Sequence, residues 1–221
     1  MSVQRVAVAV VAAAVLGSAG GTAIAVAAPD SGSVSGSASG SADWPVPAAP
    51  AASATLIVAY SFGNRIPAGV DSARTIGEPG PVNEALAAAV MATRGDRSVP
   101  VYAQTEIATV LKSRYGLTDV ISIDPERAAD GTLVYLSTDG VAAKVAELRG
   151  ASVASDSAAV VAFHDHLWRA TRTTGKHGFN AFAPADVTMP STYDPQSGQI
   201  WTTSALLYLP TDMLGRLALL K

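Results

Sequence analysis

The chain has 221 residues, 49% of them hydrophobic and 15% charged, with a formal net charge of −3 and no cysteine. That length carries one domain with appendages and a sizeable core. The slight acidity and the lack of a basic cluster argue against nucleic acid as the main partner, and without cysteine the core alone must hold an exported domain together.

The amino terminus, residues 1–28, reads as an export signal or a signal anchor. Arg5 is the only charged side chain ahead of a small-apolar run, Val6 to Ala28, which ends in Ala25-Val26-Ala27-Ala28 before Pro29, a small-residue cleavage context. The run is longer than a usual signal core, so an uncleaved membrane tether is the alternative. Gly17, Gly20, Gly21 and the abundance of alanine make it weakly hydrophobic for a spanning helix. The expected location is therefore outside the cytoplasm, secreted or tethered to the outer face of the cytoplasmic membrane. Residues 29–54 are Ser, Gly, Ala and Pro with almost no large apolar side chain, so burial cannot offset the entropy of ordering them. They read as a disordered linker, with Trp44 incidental or a transient docking contact, and a single domain is expected over 55–221.

From Thr55 the texture changes. Thr55 to Tyr60 (TLIVAY) is a continuous apolar run of strand length, as in a parallel strand covered on both faces. Ser61 to Gly80 is rich in Gly and Pro and reads as a loop. Pro81 opens a helix that runs to Arg94 and stops at Gly95. Val99 to Ala103 is a second strand, and Glu106 to Tyr115 an amphipathic helix closed by Gly116. Asp119 to Asp124 reads as a third strand and Thr132 to Leu136 as a further extended segment. Ser137-Thr138-Asp139 then caps a helix with Val141, Val145 and Leu148 inward, ending at Gly150. Ala158 to Phe163 is a buried strand that passes through His164-Asp165-His166 into a helix from Leu167 to Thr174, with Gly175 as its stop. Phe179 to Ala183 is a final strand candidate, and Asp186 to Gln199 reads as a loop. The tail, Ala205 to Lys221, is apolar but interrupted by Pro210 and Gly215. It reads as a packed terminal helix or, more sharply, as a membrane-surface contact, being too short and broken to span. Strands alternating with helices indicate an α/β fold with a doubly wound, mainly parallel sheet between two helical layers. No internal repeat is visible.

In such a sheet, ligands bind where strand carboxyl ends and helix amino ends converge. The stretch Ala158 to Gly175 is the leading candidate, because all three histidines (His164, His166, His177) lie within it and its immediate continuation. His164 and His166 could chelate a metal with His177, Asp165 or Asp186 as a metal-dependent hydrolase would, or simply hydrogen-bond at a cleft rim. Arg169 could hold a phosphate or carboxylate, or pair with a surface acid. Gln104 and Glu106 follow the second strand at the same sheet edge, Glu106 as a general base or as an acid placed for the helix dipole. Thr138 and Asp139 are ligand groups or ordinary caps, and Asn64, Arg65, Asn83 and Glu84 lie where a ligand would dock or where a loop is solvated. The strand, Gly-rich loop and helix that open the domain match neither GxGxxG nor a Walker A loop. No GxSxG elbow occurs in the folded region and cysteine is absent, which disfavours a nucleophilic hydrolase.

The succession IVAYSFGNR, GPVNEALA, VPVYAQTEIA, YLSTDGVAAK, VVAFHDHLWRATRTTGKHGF and YDPQSGQIWTTSALLYL resembles the YdcF/SanA-like family of bacterial envelope-associated proteins over Thr55 to Leu209. The resemblance implies a Rossmann-like domain, often tethered outside the cytoplasmic membrane and involved in envelope or cell-wall maintenance, with no settled reaction. By position, its cleft would be lined by Ser61, Gly63 and Asn64, by Gln104 and Glu106, by Thr138 and Asp139, and by His166 with Arg169. Two departures stand out: the loop SFGNRIPAG is less tight than the family's Gly-rich turn, and Asn83 occupies a position where Arg is frequent. The residues and the resemblance together point to a small polar or anionic ligand, nucleotide-like in one version. Glu106 or His166 would be the proton-transfer group if a reaction is catalysed; the alternative is a non-catalytic envelope interaction module. They name no cofactor and no protein partner.

Overall fold

A computed structural model describes residues 44–220; the expected signal and most of the expected linker lie outside them. The fold is a six-stranded, wholly parallel sheet with helices on both faces, the three-layer Rossmann-like α/β architecture. In chain order, β1 is Ala48–Ala49, β2 Leu56–Ala59, β3 Val101–Gln104, β4 Ile121–Ile123, β5 Glu126–Arg127, β6 Leu133–Val134, β7 Ser157–Val161 and β8 Asn180–Pro184. The helices are α1 Gly80–Arg94, α2 Thr105–Tyr115, α3 Thr138–Arg149, α4 Leu167–Lys176 and α5 Ala205–Ala218. The large sheet runs β1-β8-β7-β2-β3-β4, while β5 and β6 form a small antiparallel ribbon.

Period-two alternation divides the core. Ile57, Ala59, Val101, Ala103, Ala159 and Val161 face α1 and α2, meeting Leu86, Val90, Ile107 and Leu111. Leu56, Val58, Tyr60, Tyr102, Ala158 and Val160 face the opposite way, onto Val141 and Val145 of α3 and Ala170 of α4. Every residue of β2 is buried, so the strand shows no polar alternation. Each large side chain fully removed from water, such as Leu86, Ile107 or Leu111, contributes about 1.5–3 kcal/mol. Local signals agree with the packing: Pro81 lies in the first turn of α1, Gly116 takes the left-handed conformation that closes α2, and the Ser137 hydroxyl accepts from the Gly140 N–H at 3.1 Å to cap α3.

Three expectations are corrected. Residues 44–54 belong to the domain rather than to a linker. β1 pairs in register with β8, Ala51 and Ala54 are buried, and Trp44 lies edge-on to Trp168 at 4.8 Å. Small residues can join a sheet edge through backbone hydrogen bonds alone, which composition does not reveal. Leu148 points to solvent, half exposed, leaving Val141 and Val145 as the inward residues of α3. α4 also passes through Gly175 to end at Lys176.

The strand order reverses between β2 and β7. From β2 the chain winds outward to β3 and β4, then crosses back to β7 and continues to β8. The carboxyl ends of β2 and β7 therefore diverge into loops on opposite sides, opening the crevice where open α/β sheets take their ligands.

Candidate functional site

A cleft of about 350 Å³ occupies that crevice. Ser61 and Gly63 enter it from the loop after β2, Gln104 from the end of β3, Tyr135 and Leu136 from the segment after β6, and Thr138 from the first turn of α3. His166 and Arg169 enter from the β7–α4 junction, and Trp201, Tyr208 and Thr211 from the carboxyl-terminal segment. Six of the residues expected from sequence thus share one concavity: Ser61, Gly63, Gln104, Thr138, His166 and Arg169.

The wall after β2 is built by backbone constraint. The Gln104 Oε1 accepts from the Ser61 N–H at 2.9 Å, holding the loop against the neighbouring strand. Gly63 has a φ of +69°, and a Cβ there would lie 2.5 Å from Ser197 Oγ and 2.7 Å from Thr202 Oγ1, so a side chain is excluded. Asn83 is a correction to the expected ligand groups: it is fully buried, accepts from the Phe62 N–H at 2.9 Å and donates to Gly63 O at 2.8 Å. Its amide fixes the loop from behind. Phe62 stacks on Phe163 with centroids 4.1 Å apart, tying the ends of β2 and β7 together beneath the cleft.

Glu106 and Asn64 stand one layer behind this wall and do not line the cleft. Glu106 is only 2% exposed. Burial raises its pKa, and hydrogen bonding by its own backbone and by Ser61, Asn64 and Tyr135 offsets part of the rise. A proton on Glu106 reaches the cleft only through neighbours such as Ser61 or Tyr135. Asn64 donates from Nδ2 to Tyr135 Oη at 3.2 Å, and its Oδ1 is a buried acceptor with no partner among the described residues.

The opposite wall is an ionic network. Arg169 donates from Nε to Asp212 Oδ1 at 2.7 Å, from Nη1 to Thr138 Oγ1 at 2.8 Å and from Nη2 to Tyr208 Oη at 3.0 Å. Asp212, 1% exposed, also accepts from Arg216 Nε, and Arg216 Nη2 donates to Asp165 O at 2.7 Å. Burial would raise the Asp212 carboxyl, but the nearby His166 ring and the hydrogen-bonded, positively charged Arg169 outweigh it and hold its pKa well below the usual carboxylate range. One carboxylate therefore faces two guanidinium groups. Arg169 keeps two of its five N–H donors free of this internal network.

His166 completes the wall. Its Nδ1 lies 2.8 Å from Tyr208 Oη and its Nε2 3.4 Å from Thr138 Oγ1. The Tyr208 hydroxyl donates its single proton to Asp212 Oδ1 and accepts from Arg169, so counting donors assigns the His166 proton to Nδ1 and leaves Nε2 as the acceptor. Burial, reinforced by the Arg169 charge, lowers the His166 pKa to about 4. The ring is therefore neutral at ordinary pH.

No family model, curated protein or solved structure matches the chain. The site is read from its own geometry. His164 does not accompany His166: the 3-10 turn His164–His166 turns it to solvent, where its Nδ1 meets Asp165 Oδ1 at 3.0 Å. His177 pairs instead with Asp139 at 2.9 Å, outside the cleft, while Asp186 accepts from the Ala51 N–H. The expected ligand groups His164 and Asp139 thus fall away from the site. The His164/His166 chelate is not formed, and no group of three or more His, Cys, Asp or Glu among the described residues could hold a metal ion.

Sequence reasoning missed Tyr208, Asp212 and Arg216. Their i, i+4, i+8 spacing in an otherwise apolar tail places them on one helix face, and that polar stripe was the available signal. The Tyr135 hydroxyl had no comparable signal.

Proposed function

We propose that the chain is an exported or membrane-tethered α/β domain that binds a small anionic ligand in this cleft, in the service of the bacterial envelope, as its resemblance to YdcF/SanA-like proteins implies. The observation that carries the ligand class is the pairing of two guanidiniums, the buried Arg216 and the partly exposed Arg169, with the single carboxylate of Asp212 beneath the cleft, with spare Arg169 donors at its surface. That arrangement leaves positive charge in a poorly solvated place, where an oxyanion such as a phosphate or carboxylate gains most. The first turn of α3, at Thr138, adds a partial positive charge on the same side.

The neutral His166 beside Arg169 supplies a hydrogen-bonding and proton-accepting nitrogen, and Glu106, one layer behind the opposite wall, a carboxyl with a raised pKa that communicates with the cleft through Ser61 or Tyr135. In the catalytic version of this reading, a hydrolase or transferase uses one of them for proton transfer. The export signal expected in residues 1–28 supports an activity outside the cytoplasm.

Thermal-shift titration with inorganic phosphate, nucleotides and sugar nucleotides tests the proposal. It predicts a rise in melting temperature with at least one of them, lost in Arg169→Ala and in His166→Ala. No shift with any, or an equal shift in Arg169→Ala, contradicts it.

A further inference from the structure

α5 is an amphipathic helix turned inside out. Its polar side chains Tyr208, Asp212 and Arg216 are buried, whereas Leu206, Leu207, Leu214 and Leu217 face solvent, joined by Ile200 and Trp201 from the preceding turn. Leu206 is 83% exposed, Leu214 71% and Ile200 70%. From Gln196 to Leu220 the only charged residues are Asp212 and Arg216, and both are consumed by the internal network. The outward face is thus charge-free, in a chain whose other described surfaces expose few large apolar side chains. A contiguous apolar patch of this kind marks a docking surface.

Three observations select the occupant. Arg172 and Lys176 are exposed and line one depression with Leu219 at the carboxyl end of α5, and neither has an acidic partner among the described residues. They supply cations at the edge of the apolar face, as anionic headgroups require. A protein partner would need polar groups spaced through the patch, about one hydrogen bond per 100–200 Å², and α5 presents outward only the hydroxyl of Thr211. Finally, Trp44, the first described residue, lies against Trp168 and under the Arg216 guanidinium. The domain's amino-terminal end therefore stands beside α5, and the apolar run Val6 to Ala28 precedes it in the sequence.

We propose that the outward face of α5, with Ile200 and Trp201, lies on the surface of an anionic lipid bilayer. The leucines enter the acyl boundary, Trp201 sits at headgroup level, and Arg172 and Lys176 meet lipid phosphates. Trp201 and Thr211 also line the cleft, so the cleft mouth opens beside the lipid. The proposal does not depend on the ligand class assigned to the cleft.

The test uses the full chain with phosphatidylcholine/phosphatidylglycerol vesicles carrying brominated acyl chains, which quench tryptophans at the interface. The expected result is a blue shift and quenching of one fluorescence component. That component is absent in Trp201→Phe and weakened by salt. Leu206→Asp with Leu214→Asp loses the quenching while retaining near-UV circular dichroism and melting temperature. Should that double variant fail to fold, the comparison of wild type with Trp201→Phe still decides. Protein that pellets with vesicles while Trp201 stays unquenched is held by its amino-terminal segment alone, which overturns the proposal. So does a lipid-independent shift of Trp201 accompanied by dimer formation in sedimentation, which would assign the face to a second copy.

Discussion

The two walls of the cleft each bury a carboxylic acid, and they treat it in opposite ways. Glu106 is buried without a cation, so its pKa rises and its charge is disfavoured. Asp212 is buried against two guanidiniums, so its pKa falls and its charge is permanent. Burial is common to both; the partners decide the sign. A carboxyl of the first kind holds its proton to a higher pH than an ordinary glutamate, whereas one of the second kind fixes the positions of the groups around it. Arg169 and His166 are held by the fixed wall, while Ser61 and Tyr135 stand next to the titratable one.

Removing the fixed carboxylate gives the largest effect. Asp212→Ala leaves the buried Arg216 and the partly exposed Arg169 without their carboxylate and is expected to cost about 3–5 kcal/mol in urea denaturation. The next effect depends on pH. The His166 pKa falls from 6.5 to about 4 on folding. The stability it contributes is therefore fully present above pH 6.5 and lost as the pH falls toward 4, a difference on the order of 3 kcal/mol. His166→Gln should flatten that part of the stability–pH curve relative to wild type; parallel curves would show that the histidine is not buried neutral.

Gly215→Ala tests the contact through which α5 braces this wall. A Cβ there would sit 2.7 Å from Arg169 Cδ, so about 1–3 kcal/mol of stability should be lost, together with ligand-induced stabilisation. Glu106→Gln should have the smallest effect and the opposite sign. A carboxyl with a raised folded pKa destabilises the native state as the pH climbs above its unfolded value, so the neutral amide should raise the melting temperature slightly at pH 7. A clear loss of stability would remove the distinction between the two acids.

Much of the architecture was legible in the sequence because β2, β3 and β7 are continuous apolar runs and α1, α2 and α4 begin and end near ordinary signals. A doubly wound sheet was expected from the alternation of strands and helices, and its strand order brings His166, Arg169, Gln104 and Ser61 to one edge. Direction was not legible. Spacing does not say that a 3-10 turn sends His164 outward and His166 inward, or that Asn83 turns its amide onto the loop backbone. Asp212 and Arg216 were hidden because a tail rich in leucine reads as a helix with its apolar face inward, and here that helix is reversed. Ala48 and Ala49 were hidden because their contribution is made by backbone hydrogen bonds to β8.

The central claim is that these two acids differ in kind. Carboxyl carbon-13 chemical shifts, followed by NMR from neutral pH downward and assigned by Glu106→Gln and Asp212→Asn, test it directly. Glu106 should take up its proton above the usual glutamate range, and Asp212 should remain ionised until the protein unfolds. Two carboxyls titrating together near pH 4 would contradict the account.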